Sequence, residues 1–330
     1  MDSSFAQQVH CPVCQSLCPD PPLYQYRVPE AAAHFCPSTR DAERNSRLQA
    51  CIRRLWQGEE CSILRCRECG FAFGHPFVGG DEEFYSILHE QKGYPAWRWD
   101  YDVALDAALK AQDDGGRLLE IGAGVGNFLK RLDQKWQRFA VEASESNRAE
   151  LEGAGIKVFR DLSAAVLTEA GSFKVIVLFQ VLEHIAEFKS VLVQCRRLLS
   201  EGGQLVITVP DGDAMIRQER LTGCPDMPPN HINKFTPQSL SRALRDAGFE
   251  PGQAIQEPSS LRNLQASLYM RVTTDATQKH SLAAQVYRIR NKRLRQPFLV
   301  LLGVPALLRL LPHVWQLQAG GAFAITARPV

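Results

Sequence analysis

The amino-acid sequence predicts an α/β fold with a doubly wound, mostly parallel sheet. From residue 117 onward, short apolar strand patterns alternate with amphipathic helix patterns. One of the apolar runs, FKVIVLFQ (173–180), is nearly unbroken, which is typical of a central strand buried on both faces. A glycine-rich loop, GAGVG (122–126), follows the first of these strands and opens the next helix pattern. This is the position at which doubly wound sheets bind their ligands.

The individual elements can be assigned in chain order. The predicted strands are RLLEI (117–121), RFAVEA (138–143), IKVF (156–159), FKVIVLFQ, GQLVITVP (203–210), a strand near 249–256 and GAFAITARP (321–329). The predicted helices are NFLKRLDQK (127–135), ESNRAELEGAG (145–155), HIAEFKSVLVQCRRLLSEGG (184–203) and TPQSLSRALRDAGF (236–249). Glycines are expected to end three of them, and Thr236 is expected to cap the last.

Composition limits the class of protein. The chain has 330 residues, 45% hydrophobic and 22% charged, so we expect a globular protein of roughly two domains. The net charge of +2 gives no global argument for a nucleic-acid binder. The first residues lack a secretory signal pattern, so the ten cysteines are expected to be metal ligands or reduced thiols in the cytoplasm.

The change of pattern along the chain predicts five segments. Residues 1–90 form a cysteine-rich module, 91–116 a linking helical segment and 117–256 the ligand-binding core. A helical insertion that is basic and then apolar covers 257–319, and 320–330 supply the last core strand.

The residues around the glycine loop indicate which ligand it holds. Asn127 stands where a pyrophosphate-binding loop would have its third glycine. Glu120, at the strand tip, would repel a phosphate but attract a cationic amino group. Glu142 ends the next strand, where a carboxylate can accept both ribose hydroxyls. We therefore expect S-adenosylmethionine, which carries an ammonium and a sulfonium but no phosphate, rather than NAD.

Two further strand ends add candidates. Asp161 follows the third strand, where its side chain could meet the adenine amino group, and Gln180 ends the fourth. Alternatively, the three acids Glu120, Glu142 and Asp161 are solvated loop residues that bind no cofactor. The predicted cofactor-binding residues are Glu120, Gly122, Ala123, Gly124, Gly126, Asn127, Glu142, Ala143, Asp161, Leu162 and Gln180.

With these motifs, the region 117–256 and the terminal strand resemble the class I S-adenosylmethionine-dependent methyltransferases. LLEIGAGVGNFL (118–129) is similar to the family's first motif, and AVEAS (140–144) to its ribose-binding segment. VLFQVLEHI (177–185) and GGQLVITVP (202–210) are similar to its fourth- and fifth-strand segments. The resemblance implies a Rossmann-like, seven-stranded methyltransferase sheet. It does not identify the acceptor.

Two Cys-x-x-Cys pairs, Cys11–Cys14 and Cys66–Cys69, can supply four thiolates to a closed structural zinc site. The long spacer between them is expected to hold a helix over ERNSRLQACIRRLWQ (43–57). Alternatively, the pairs are unrelated reduced thiols, and Cys18 is a substitute ligand. The arrangement also resembles sugar C-methyltransferases, in which a zinc ribbon precedes the catalytic domain. We hypothesise that this module covers the active site and helps bind the acceptor.

Two histidines are candidates for the catalytic base that an oxygen or carbon acceptor would need. His231, in PPNHINKFTPQSL, follows the fifth strand and matches the place of a histidine in the resembled sugar enzymes. Asn230 stands where those enzymes have an acid. His184, in VLEHI, follows the fourth strand, but it could instead be a structural histidine. The strand tip FQVL lacks the pattern typical of DNA amine methylation, so DNA is not an expected partner.

The insertion combines a basic run with an apolar one. Residues 260–296 contain eight basic residues and one acid, and FLVLLGVPALLRLLPHVWQL (298–317) follows. Two interpretations remain open: a lid packed on the active site or on a partner subunit, or peripheral membrane contact through 297–316. The basic run could also meet a phosphate-bearing acceptor.

Together, these features predict a methyltransferase that uses S-adenosylmethionine and a structural zinc. Its acceptor is expected to be an oxygen or carbon of a small molecule, a sugar or a lipid-linked intermediate. The alternatives are an RNA or protein methyltransferase and a non-catalytic module that binds S-adenosylmethionine. The oligomeric state cannot be inferred from the sequence.

Overall fold

The computed structural model describes residues 8–88, 98–111, 115–277, 281–289 and 291–330. Parts of the predicted linking segment, 91–97 and 112–114, therefore lie outside the described residues. Lys279 and Arg290 of the basic run lie outside them as well.

The N-terminal part forms a small antiparallel sheet with helices beside it. Its elements are β1 (Tyr24–Arg27), α1 (Val28–Phe35), α2 (Ala42–Trp56), β2 (Glu60–Arg65), β3 (Ala72–His75) and α3 (Glu82–Leu88). Helix α2 is the helix predicted between the cysteine pairs. It begins where the Asp41 side chain accepts a hydrogen bond from the amide of Arg44 at 2.9 Å, and it ends at Gln57 in a left-handed conformation.

The second part contains the central sheet. Its elements are α4 (Trp99–Ala111), β4 (Gly116–Ile121), β5 (Trp136–Val141), α5 (Glu145–Gly153), β6 (Lys157–Phe159), α6 (Leu162–Glu169), β7 (Phe173–Phe179), α7 (Phe188–Leu198), β8 (Leu199–Pro210), α8 (Gly212–Thr222), β9 (Asn233–Lys234), α9 (Pro237–Asp246), β10 (Phe249–Pro251), β11 (Ile255–Gln256), α10 (Leu261–Thr277), α11 (Leu282–Tyr287), α12 (Lys292–Leu310), α13 (Val314–Gln318) and β12 (Ala322–Pro329).

Seven strands of this sheet follow the order β10-β12-β8-β7-β4-β5-β6, and β11 pairs separately with β12. Strands β8, β7, β4, β5 and β6 run parallel, whereas β12 is antiparallel to β8. The insertion before β12 is helical. The predicted fold class is thus confirmed, and the carboxyl ends of the parallel strands share one edge of the sheet.

Two predicted helices are wrong in extent. The helix over 127–135 is reduced to a single 3-10 turn at Leu129–Arg131, because the Asp133 side chain accepts from the Lys135 amide and turns the chain into β5. The helix over 184–203 begins only at Phe188 and ends at Leu198. It stops before the predicted glycines because Leu199 is extended and pairs with Phe173 at the start of β8.

The N-terminal part packs against the central sheet and shares a strand pairing and a core with it. Strand β9, from the loop after β8, pairs with β3 and completes the N-terminal sheet. The Phe71 ring lies 4.9 Å from that of Phe235 and 6.1 Å from that of Phe188, in a core that both parts share. This docking holds the N-terminal part beside the carboxyl edge of the sheet.

Candidate active site and metal centre

A cleft of about 1490 Å³ opens at the carboxyl ends of β4, β5 and β7. Most of the predicted cofactor-binding residues line it, namely Glu120, Gly122, Ala123, Gly124, Asn127, Glu142, Ala143, Asp161 and Gln180. The N-terminal part also lines this cleft, with Gly80–Glu82, Tyr85 and Ser86, although that part was predicted as a separate module. This placement is what the hypothesis of a module that covers the active site requires.

Two predicted cofactor-binding residues, Leu162 and Gly126, do not line the cleft. Leu162, the first residue of α6, is buried in the core. Gly126 has a φ of +75°, and a Cβ atom there would lie 2.4 Å from Cδ2 of Leu151. Gly126 therefore allows the loop to pack closely on α5, which is a structural task rather than a contact with the cleft.

Glu120 is the most unusual residue of the cleft. It is 3% exposed, and its Oε2 has no hydrogen-bond partner among the described residues. Burial raises the pKa of its carboxyl group well above the usual value, and the positive charge of Arg98 opposes that shift. Arg98 is itself engaged, since its Nε donates to Oδ1 of Asp100 at 3.0 Å. A buried carboxylate oxygen without a donor fits the ammonium group of S-adenosylmethionine.

Glu142 is held by the backbone. Its Oε2 accepts from the amide of Gly124 at 2.7 Å, and its Oε1 accepts from the amide of Ser144 at 2.8 Å. Each carboxylate oxygen has a second lone pair. The side chain is thus fixed at the edge of the cleft and can still accept hydrogen bonds from ribose hydroxyls.

Asp161 and Gln180 line the cleft in different ways. Asp161 caps α6, because its side chain accepts from the amide of Ala164 at 2.9 Å. Gln180 has a φ of +56°, a strained conformation for a residue other than glycine, and its amide donates to the carbonyl of Thr208 at 2.9 Å. Strain of this kind concentrates at functional sites.

The two candidate histidines lie side by side, with ring centres 4.7 Å apart. His184 lines the cleft, and its Nδ1 donates to the carbonyl of Asn230 at 2.7 Å. Burial lowers the pKa of His184 to about 3, so this ring is neutral and a weak base. His231 lies next to it and is not among the residues that line the cleft.

An acid that the sequence analysis missed holds His231. Oδ1 of Asp226 lies 2.5 Å from Nδ1 of His231. Burial lowers the pKa of His231, but the negative charge of Asp226, its hydrogen bond to the ring and the negative charge of Glu183 together outweigh burial, so the pKa of His231 is raised. Lys234 fixes the same loop by donating to the carbonyl of Asp226 at 2.8 Å. The only sequence signal was an acid five residues before the histidine.

Glu183 was also missed. It is 1% exposed, and neither carboxylate oxygen has a hydrogen-bond partner among the described residues. Burial raises its pKa to about 7. Its Oε1 lies 3.8 Å from Nε2 of His184, so a carboxyl group that can hold a proton near neutral pH adjoins both histidines.

The two cysteine pairs come together as a single cluster. Sγ of Cys11 lies 3.6 Å from Sγ of Cys69, and Sγ of Cys14 lies 3.4 Å from Sγ of Cys66. All four sulfur atoms lie within 4.8 Å of one another. A tetrahedral zinc with Zn–S bonds of about 2.3 Å requires sulfur atoms roughly 3.8 Å apart. The four predicted ligands therefore fit a structural zinc ion.

The insertion does not cover the cleft. None of the described residues of 257–319 lines its wall. The predicted lid over the active site is therefore not supported by the part of the insertion that the structure describes.

Comparison with known proteins identifies the family of the domain that contains this cleft. A family model described as a methyltransferase domain matches residues 97–254. The chain contains a class I methyltransferase domain. In this domain the glycine loop, Glu120 and Glu142 lie where the sequence motifs placed them, at the ends of β4 and β5. The methyltransferase family supports S-adenosylmethionine as the cofactor.

Individual relatives of the methyltransferase domain are more distant. The ubiquinone biosynthesis O-methyltransferase of Sinorhizobium medicae is 32% identical over 101 residues, which cover 28% of this chain and 41% of that protein. Its counterpart in Cereibacter sphaeroides is 29% identical over 166 residues, or 46% of this chain and 66% of that protein. A cyclopropane synthase structure from Mycobacterium tuberculosis aligns with a TM-score of 0.41 and 15% identity, covering 68% of this chain and 82% of that one. The chain thus spans less than two thirds of the two O-methyltransferases.

Proposed function

We propose that this protein transfers a methyl group from S-adenosylmethionine to an oxygen or carbon atom of a small molecule. The observation that carries the proposal is the buried carboxylate of Glu120, whose Oε2 has no hydrogen-bond partner among the described residues, in a cleft at the carboxyl edge of the sheet. A site for a pyrophosphate would place a donor there, not a carboxylate. The O-methyltransferase relatives support an oxygen acceptor.

In this proposal, S-adenosylmethionine supplies a methyl group on a sulfonium. Glu120 binds the ammonium group, Glu142 the ribose hydroxyls, and the backbone at Gly122 and Gly124 leaves room for the methionyl part. The N-terminal residues that line the cleft, Gly80–Glu82, Tyr85 and Ser86, hold the acceptor. These contacts fix the acceptor atom near the methyl carbon, which is the main requirement of an in-line displacement.

His231 is the proposed base. Asp226 binds Nδ1, so Nε2 is left to take a proton. Because His184 and not His231 lines the cleft, the proposal requires the acceptor's hydroxyl or carbon acid to reach Nε2 of His231 past the ring of His184 as the new bond to the methyl group forms. The acceptor's electron pair attacks the methyl carbon, and the carbon–sulfur bond electrons return to sulfur. His184, with a pKa lowered to about 3, is less suited to this role and instead shapes the cleft wall.

Calorimetry tests the cofactor assignment directly. We expect S-adenosylmethionine to bind and NAD not to bind. Glu120→Gln is expected to weaken S-adenosylmethionine binding about 10–100-fold, since a hydrogen bond to a charged group contributes about 1.5–3 kcal/mol. Glu145→Gln, an exposed acid on the same cleft, is the control and should bind normally. Absence of S-adenosylmethionine binding to the unaltered protein would overturn the proposal.

A screen with labelled methyl donor tests turnover and the acceptor class. Candidate acceptors are phenolic small molecules, sugars, and phosphate-bearing or lipid-linked intermediates. Cofactor binding without transfer to any class would favour the non-catalytic alternative, and transfer to RNA or protein would replace the acceptor assignment.

A further inference from the structure

Helix α12, the turn that follows it and the start of α13 carry an apolar stripe that no described part of the chain covers. We call it the outer stripe. Its members recur at intervals of three or four residues, so they lie along one face of the helix. They are between 51% and 83% exposed: Leu294, Phe298, Leu301, Val304, Leu308, Leu311 and Trp315.

The opposite face of α12 holds the helix in place. Leu299 and Ala306 are buried against Val272 of α10 and Ala283 of α11 in a small core of their own. The helix is therefore anchored without the outer stripe. An apolar stripe of this length on an anchored helix is unusual for a surface that faces only water.

The segment Arg293–Gln316 is long and apolar enough to cross a membrane: it has 24 residues, a mean hydropathy of 1.8 and only 11% of its most apolar window buried. Two features favour a position in the membrane interface instead. One face already packs on α10 and α11, and the amide of Ser260 donates to the carbonyl of Gln318 at 3.0 Å. Just beyond, β12 pairs with β8 from Ala322 onward. Spanning would break these contacts, whereas lying flat keeps them.

The charge of the insertion identifies the partner. Residues 260–296 contain eight basic residues and one acid, and Arg288 and Arg293 are exposed near the start of α12. The only described acid of that range, Asp275, is paired with Arg271. A basic surface beside an apolar stripe matches anionic head groups above acyl chains. At the far end of the stripe, Trp315 is a residue typical of membrane–water interfaces.

We propose that the outer stripe binds an anionic membrane surface, with α12 lying parallel to it and its basic start against the head groups. This interaction is independent of the proposed methyl transfer, because the stripe does not line the cleft.

Flotation of the full chain with vesicles tests the proposal. We expect the protein to float with phosphatidylcholine vesicles that contain 30 mol% phosphatidylglycerol, and less with phosphatidylcholine alone. Leu301→Glu/Leu308→Glu is expected to reduce binding at least tenfold. Arg288→Glu/Arg293→Glu should reduce binding to the anionic vesicles only. The matched control is Leu167→Glu on α6, where the leucine is 85% exposed and lies away from the stripe, and it should bind normally.

Two further measurements keep the result decisive. Each variant must retain the far-UV circular dichroism spectrum and the cooperative thermal melting of the unaltered protein, which shows that it is folded. Sedimentation without lipid should show that the outer stripe does not mediate self-association. Failure of the unaltered protein to float, equal flotation of the stripe variant, or a dimer that Leu301→Glu/Leu308→Glu dissociates would each overturn the membrane proposal.

Discussion

At the scale of single residues, the pairing of Asp226 with His231 makes a prediction that does not depend on the acceptor. Asp226→Asn removes the negative charge that raises the pKa of His231. The titration of the His231 ring, followed by proton NMR, should then move to lower pH by at least about one pH unit. Asp213→Asn, whose acid pairs with Arg65 on the surface, is the control and should leave it unchanged. An unchanged titration in Asp226→Asn would contradict the assignment.

Glu183 makes a second prediction, on stability. Burial raises its folded-state pKa from 4.5 to about 7, so its contribution to stability is complete below about pH 4.5 and is lost as the pH rises through 7. Glu183→Gln cannot lose a proton. Its free energy of unfolding relative to the unaltered protein should therefore rise by on the order of 2 kcal/mol between pH 5 and pH 8. Urea denaturation at both values measures this, and a difference that does not change with pH would refute it.

At the scale of elements, the sequence correctly predicted the helices and strands that are determined by a local sequence pattern. The apolar run at β7 and the Thr236–Pro237 start of α9 were confirmed, because burial on both faces and N-capping leave a direct trace in the sequence. The predicted helix over 127–135 was wrong, because a side-chain hydrogen bond of Asp133 competes with the helix. In the glycine-rich loop 122–126, the sequence also cannot distinguish a glycine that approaches a ligand from one that packs on a helix.

Gly126 tests that distinction. Gly126→Ala places a Cβ 2.4 Å from Leu151 at a φ of +75° and should destabilise the protein by about 2–4 kcal/mol in urea denaturation. Gly171→Ala has a similar φ of +66° but nothing within 4 Å of its Cβ, so it should cost only about 1–2 kcal/mol. Equal losses at the two positions would mean that close packing on α5 is not the reason for a glycine at 126.

At the scale of the whole molecule, the sequence could not predict how its parts meet. The β3–β9 pairing joins residues 72–73 to 233–234, and neither short strand has a pattern that identifies its partner. The same docking places Gly80–Glu82, Tyr85 and Ser86 on the cleft. Contacts between segments so distant in sequence depend on the folded chain, not on local periodicity. The acceptor wall is thus a product of the docking of the two parts.

The shared core therefore links the cysteine cluster to the cofactor site. We expect one zinc ion per chain by elemental mass spectrometry. Cys66→Ser should abolish zinc binding and lower the melting temperature of the whole protein in one transition, because Phe71 packs on Phe188 and Phe235 of the methyltransferase domain. Affinity for S-adenosylmethionine should fall with it. Cys224→Ser lies outside the cluster and should keep the zinc. A separate early transition that leaves the melting of the methyltransferase domain unchanged would show that the two parts fold independently.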